Sequence, residues 1–199
     1  ILASYRGYDT LGEVVVVFAA VIGVLALLGL RARPPGVVPR PVRRLDQHAV
    51  LKVIAKLVVP VILLFGLYVQ FHGEYSPGGG FQAGVIFAAA FILYALVFGL
   101  DEARRIIPPK LLEKLPAVGV LIFGGVGLLT MLLGGNYLAY NVLAESPQKA
   151  QQTGIILVEL GVGVTVASVM LLLYFTFAER GRGRRVDEGD SDGAGGADG

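Results

Sequence analysis

Five apolar runs alternate with short polar blocks along the chain: Leu11–Leu30, Val50–Phe71, Phe81–Leu100, Leu115–Gly134 and Gly154–Ala178. About 20 residues at 1.5 Å each cross some 30 Å of hydrocarbon, so each run reaches or approaches the length of a bilayer span. Val14–Val17 has the β-branched character of a strand. A lone strand in lipid leaves its backbone N–H and C=O groups unpaired, whereas a helix pairs them internally. The pattern predicts an all-α, polytopic membrane protein with five transmembrane helices.

Basic residues near the span ends predict the direction of insertion. The first connection carries Arg31, Arg33, Arg40, Arg43 and Arg44, and the third carries Arg104, Arg105, Lys110 and Lys114. After the last run come Arg180, Arg182, Arg184 and Arg185, while the other side offers Arg6 and Lys149. The expected topology is N-terminus outside and C-terminus cytoplasmic, in the plasma membrane of a prokaryote. The first run is long and no small-residue cleavage site follows it, so it reads as a span and not as a removed signal.

The proline cluster Pro34–Pro41 interrupts helix between the first span and the rest. It divides the chain into an appended N-terminal helix (1–30), a cytoplasmic Pro/Arg-rich linker (31–49) and a four-helix membrane domain (50–180). The remainder (181–199), ending in VDEGDSDGAGGADG, is acidic and Gly-rich and is expected to be disordered.

Composition narrows the function. Hydrophobic residues make up 55% of the chain, beyond what a soluble domain of this size carries. The absence of cysteine excludes disulfides, iron–sulfur ligation and thiol catalysis. The two histidines, His48 and His72, flank opposite ends of one apolar run and cannot jointly ligate a haem within it. With no nucleophile triad or metal-ligand cluster, an independent enzyme is not expected. Nor is a catalytic residue, a cofactor, a metal site or a nucleic-acid partner.

One stretch invites a different reading. In HGEYSPGGGFQAG, from His72 to Gly84, the residues Gly78, Gly80 and Ala83 fit the G-x-G-x-x-[GA] dinucleotide fingerprint, and Asp101 falls near the ribose-binding position. That fingerprint needs a short strand before it and an amphipathic helix after it. Here an apolar span lies on each side, and no Gly-Lys-Ser follows. Pro77 removes a donor and biases Ser76 away from helical dihedrals, while Gly78, Gly79 and Gly80 permit turns that other residues resist. The stretch predicts an external hairpin, with Phe81 and Gln82 opening the next helix. Either it is simply a tight turn, or its bare backbone approaches another subunit or lines a polar path.

This same string, H-G-x-x-S-P-G-G-G-F-Q-x-G followed by a small-residue helix, resembles the MnhB family, a set of small membrane subunits in Mrp-type multisubunit cation/proton antiporters. Related subunits occur in membrane-bound hydrogenases and sulfur-reducing complexes. The resemblance covers about Leu45 to Arg180; Ala83 stands where Gly is common and Glu74 where a second His is frequent. A shorter string, RGYDTLGE at Arg6–Glu13, is similar to the start of the last helix of the large antiporter subunit, or of the equivalent small hydrogenase subunit. The two together suggest a fusion. The resemblance implies a membrane subunit of a Na⁺/H⁺ antiporter that contributes to the ion or proton path and to assembly. It implies other membrane subunits as partners, Na⁺ and H⁺ as transported ions, and the bilayer as solvent. The alternatives are the equivalent subunit of a redox-driven respiratory complex and a purely structural subunit.

Ionisable groups inside spans are the candidate path residues, since each costs about 2.5–3.5 kcal/mol at a helix centre. Glu159 lies roughly 8 Å into the last span by helical rise. Glu13 sits two residues into the first. Lys52 and Lys56 share one face of the second span near its cytoplasmic end, where they either snorkel or form a relay with the Lys56 carbonyl that Pro60 leaves without its helical partner. His72, at the external mouth, is either a titrating group or an ordinary interfacial histidine. Glu13, Glu74 and Glu159 share one membrane face and suggest an acidic vestibule. Gly84, Ala88, Ala95 and Gly99, then Gly124, Gly125 and Gly127, then Gly161 and Gly163, form small-residue stripes suited to close helix packing.

Overall fold

The computed structural model describes residues 7–29, 49–73, 78–144 and 146–191. Seven α-helices appear among them: α1 (Gly7–Gly29), α2 (Ala49–His72), α3 (Gly80–Phe98), α4 (Leu100–Ile106), α5 (Pro109–Leu112), α6 (Leu115–Leu132) and α7 (Pro147–Ser191), with a 3-10 turn at Tyr140–Val142. Five segments are long and apolar enough to cross a membrane: Gly7–Leu27, Val50–His72, Gly80–Phe98, Pro109–Leu132 and Pro147–Ala178. The chain is an all-α, multi-pass membrane protein.

The span ends differ from the apolar runs for local reasons. Gly99 ends α3 with φ 98°, and its N–H bonds the Ala95 carbonyl at 3.0 Å. That left-handed turn redirects the chain into α4, which buries Leu100 and Ala103. The fourth crossing begins early because α5, with proline at its first position, leads into α6 and buries Leu112. α7 also starts before its apolar run, at Pro147, and carries Gln148, Gln151 and Gln152 as helix. At its other end it continues through Ser191. A helix already formed extends without a new nucleus. Residues 192–199 and the Pro/Arg-rich linker lie outside the described residues.

α7 is the centre of the bundle. α3 and α6 pack along it most extensively, α1 lies against α7 and α6, and α2 packs mainly on α3. Without a hydrophobic drive between helices in lipid, such contacts depend on close approach and dispersion. Gly119 and Gly161 supply it between α6 and α7: a methyl group built on Gly119 would lie 2.6 Å from the Gly161 carbonyl oxygen, and one on Gly161 2.7 Å from that of Gly119. Between α3 and α7, a methyl on Gly84 would lie 2.7 Å from the Gly163 carbonyl oxygen. Gly99, Gly124 and Gly125 have no such neighbour within 4 Å among the described residues, which use the stripes expected from sequence only in part.

α1 packs against this unit. Val14 and Val21 are 2% and 1% exposed. The loop after α6 also reaches α1: Tyr137 meets Tyr8 with ring centroids 5.4 Å apart, and Leu138 touches Gly7. Thr130 holds that loop by donating to the Gly127 carbonyl at 2.8 Å and accepting the Leu138 N–H at 3.0 Å.

Candidate functional site beneath the glycine hairpin

α2 presents Ala55, Val59, Gly66 and Gln70 at helical spacing, and all four are buried. Gly66 admits Ile86 and Phe87 of α3. The helix ends at His72, whose Nδ1 donates to the Tyr68 carbonyl at 3.0 Å and whose ring stacks on Tyr68 at 4.0 Å. His72 itself is exposed. Gly73 begins the turn, and Gly78, Gly79 and Gly80 bring the chain back into α3. Glu74, Ser76 and Pro77 fall outside the described residues.

Each of these glycines has a steric reason. A methyl on Gly78 would lie 3.0 Å from the Val69 carbonyl oxygen. Gly79 has φ 136° and ψ 179°, a region that is essentially glycine's own. A methyl on Gly80 would overlap the backbone carbonyl of Glu159, and one on Gly73 would lie 2.7 and 2.8 Å from Glu159 Oε2 and Oε1. One on Gly79 would be 3.2 Å from Oε1. The bare backbone of the hairpin is thus in close contact with this chain's own last helix, at one acid.

The position of that acid has an electrostatic consequence. Gly79 is the N-cap of α3 and provides no side-chain cap. The first N–H groups of a helix lack intrahelical partners and carry a partial positive charge that favours an anion. Glu159, half-buried on α7, places its carboxylate there from another helix. Gln82 is near too, with Oε1 3.5 Å from the methyl position of Gly79.

The remaining candidates are spread out. Glu13 is exposed on α1 beside buried Val14. Lys52 is half-buried and Lys56 exposed, near the end of α2 away from the hairpin; Lys52 and Gln70 are separated by about 27 Å of helical rise. α2 stays helical through Pro60. Phe81 is 46% exposed. Among the described residues no group of three or more His, Cys, Asp or Glu side chains is placed to hold a metal ion.

Two neighbours of the site escaped the sequence reading. Gln70, 5% exposed, was hidden at the end of an apolar run; its Oε1 lies 2.7 Å from the methyl position of Gly163. Tyr140, 2% exposed, sits on Gly154 of α7, and nothing in a loop sequence announces such burial. Burial, then Tyr137 and Glu159, push the Tyr140 hydroxyl up to about 12 from the usual 10.0. Because the folded value is raised, the stability linked to this group is complete below the ordinary tyrosine pKa and is lost as pH rises toward 12. An alkaline absorbance titration should show a late tyrosine step that Tyr140→Phe removes.

Residues 50–172 match the family model described as a domain related to the MnhB subunit of Na⁺/H⁺ antiporter. A putative antiporter subunit mnhB2 of Staphylococcus epidermidis is 35% identical over 136 residues, covering 67% of this chain and 96% of that protein. Its namesake in Staphylococcus haemolyticus is 34% identical over 135 residues, 64% of this chain and 92% of that one. Among solved structures, a chain from the membrane-bound sulfane sulfur reductase, an archaeal respiratory membrane complex, aligns with a TM-score of 0.70 and 27% identity over 89% of this chain and 75% of that chain. The family segment contains the hairpin, Gln70 and Glu159. On its match over residues 50–172, the chain belongs to the family of domains related to the MnhB subunit of Na⁺/H⁺ antiporters.

Proposed function

We propose that this chain is a non-catalytic membrane subunit of a multisubunit monovalent cation/proton antiporter of the Na⁺/H⁺ type. It has its hairpin outside and α7 ending in the cytoplasm, and it contributes to the ion or proton route as well as to assembly. Family membership supports the first part. The observation that carries the second is the Glu159 carboxylate held at the N-terminus of α3, whose N-cap glycine has no side chain, beneath the glycine turn.

The chemistry follows from that placement. The partial positive charge of the α3 N-terminus attracts the Glu159 carboxylate. A proton or a monovalent cation reaching the carboxylate competes with the helix for it. Occupancy is thereby felt by the hairpin, and through it by neighbouring subunits. Glu74 and Glu13, with helices of other subunits, extend the acidic surroundings on the outer side. Lys52 and Lys56 serve the cytoplasmic half, and His72 flanks the mouth.

In vesicles carrying the intact complex, Glu159→Gln is expected to assemble normally and to lose cation-dependent proton transport. Normal transport would leave only a scaffold role. Lys56→Ala is expected to slow transport without affecting assembly; an unchanged rate would make Lys56 an interfacial anchor.

The structural likeness to a respiratory-complex chain favours a second reading, an ion-translocating subunit driven by a redox arm on other polypeptides. Iron–sulfur absorbance in the purified complex would select that reading, and its absence the antiporter.

A further inference from the structure

Gln70 is the polar group at this junction that the proposed route leaves without a task. The other buried positions on its face of α2 are Ala55, Val59 and Gly66, so an amide there is the exception. It is 5% exposed, and among the described residues its Nε2 has no hydrogen-bond partner. Its Oε1 lies 2.7 Å from the methyl position of Gly163, and the Gly80 carbonyl oxygen lies 3.2 Å from that same point. Leaving a buried donor unpaired is costly, whereas an apolar side chain of similar shape would pack there without that cost.

An unpaired N–H calls for an acceptor. A bare cation is the wrong ligand for it. Water fits, because it accepts from Nε2 and donates onward, and a buried water typically has two to four polar partners. The nearest ionisable group along α7 is Glu159, one helical turn from Gly163, or about 6 Å of rise. One or two waters bridge such a gap.

We propose that Gln70 holds a short buried water chain leading to the Glu159 carboxylate between α2, α3 and α7. Glu159 then exchanges protons along the inside of the bundle as well as at the hairpin mouth. This rests on the route proposed for Glu159. When a proton arrives, an O–H bond forms on a carboxylate oxygen as the O–H of the donating water breaks, and that water is reprotonated from the chain behind it. Gln70 is a positioning residue: it orients water and carries no charge.

The test uses the intact complex in vesicles. Gln70→Leu, which removes the amide, should slow proton transport about tenfold, the value of one hydrogen bond in the barrier, and leave the cation KM unchanged. Gln70→Asn, a shorter amide with room for a further water, should keep most of the rate. A Leu variant with wild-type transport overturns the proposal, as does a raised cation KM at unchanged maximal rate. If the Leu variant fails to assemble, the Asn variant and cryo-EM density of the wild-type complex decide. Water at hydrogen-bonding distance from Nε2 supports the chain; a sodium ion there, a neighbouring subunit's side chain, or no density overturns it. Loss of transport in Glu159→Gln with a normal Gln70→Leu removes only the water chain, while normal transport in both removes the ion route itself.

Discussion

Gly80→Ala should prevent the chain from assembling. The added methyl would overlap the backbone carbonyl of Glu159 and lie 2.7 and 3.0 Å from its carbonyl carbon and Cα. No rotamer change relieves a clash with backbone, so α3 and α7 must separate beside the hairpin. Overpacking a tight contact costs about 1–3 kcal/mol, and more where the neighbour cannot move. Against a typical folding stability of about 5–15 kcal/mol, that loss falls on a central seam. The expected result is little folded chain in the membrane and no intact complex on a native gel. Gly124→Ala is the control, since nothing lies within 4 Å of the added group; it should leave both unchanged. Wild-type complex levels in the Gly80 variant would mean that α3 and α7 do not touch there.

The same contact marks where sequence reading stops. Spans were legible because lipid imposes one requirement, continuous apolar helix, that runs such as Phe81–Leu100 satisfy visibly. Their exact ends depend on particular backbone choices. Gly99 resembled one more member of a packing stripe, yet it ends α3 in a left-handed turn. Ser191 lies well beyond the last apolar run, which ends at Ala178, because helix continues where hydropathy does not. The hairpin was legible as a turn, and its triple glycine as more than a turn needs. Glu159 was legible as a costly charge. That the two meet was not, because they are distant in sequence and helix rotation is set by the packing of α3 on α7. Gln70 and Tyr140 were invisible for a similar reason: their significance arises only from burial.

Gly73→Ala separates the hairpin's fit from the bundle's stability. Its methyl would lie 2.7 and 2.8 Å from the two Glu159 carboxylate oxygens and 2.8 Å from the Gly79 Cα. Much of that clash is with the tip of a flexible side chain, which can swing away from the α3 N-terminus while α3 and α7 stay packed. Assembly should therefore persist while transport falls at least about tenfold, which corresponds to about 1.4 kcal/mol in the barrier. Glu159→Asp withdraws the carboxylate by one methylene and should restore part of the rate when combined with Gly73→Ala. The two residues are in contact, so a coupling of about 0.5–3 kcal/mol is expected between them. Gly79→Ala should gain nothing from the same partner change. Its cost lies in a backbone at φ 136° that an L side chain resists by about 1–3 kcal/mol, whatever stands opposite. Strictly additive effects of Gly73→Ala and Glu159→Asp would show that the carboxylate does not rest against the hairpin, and the fit between them would lose its role in moving ions.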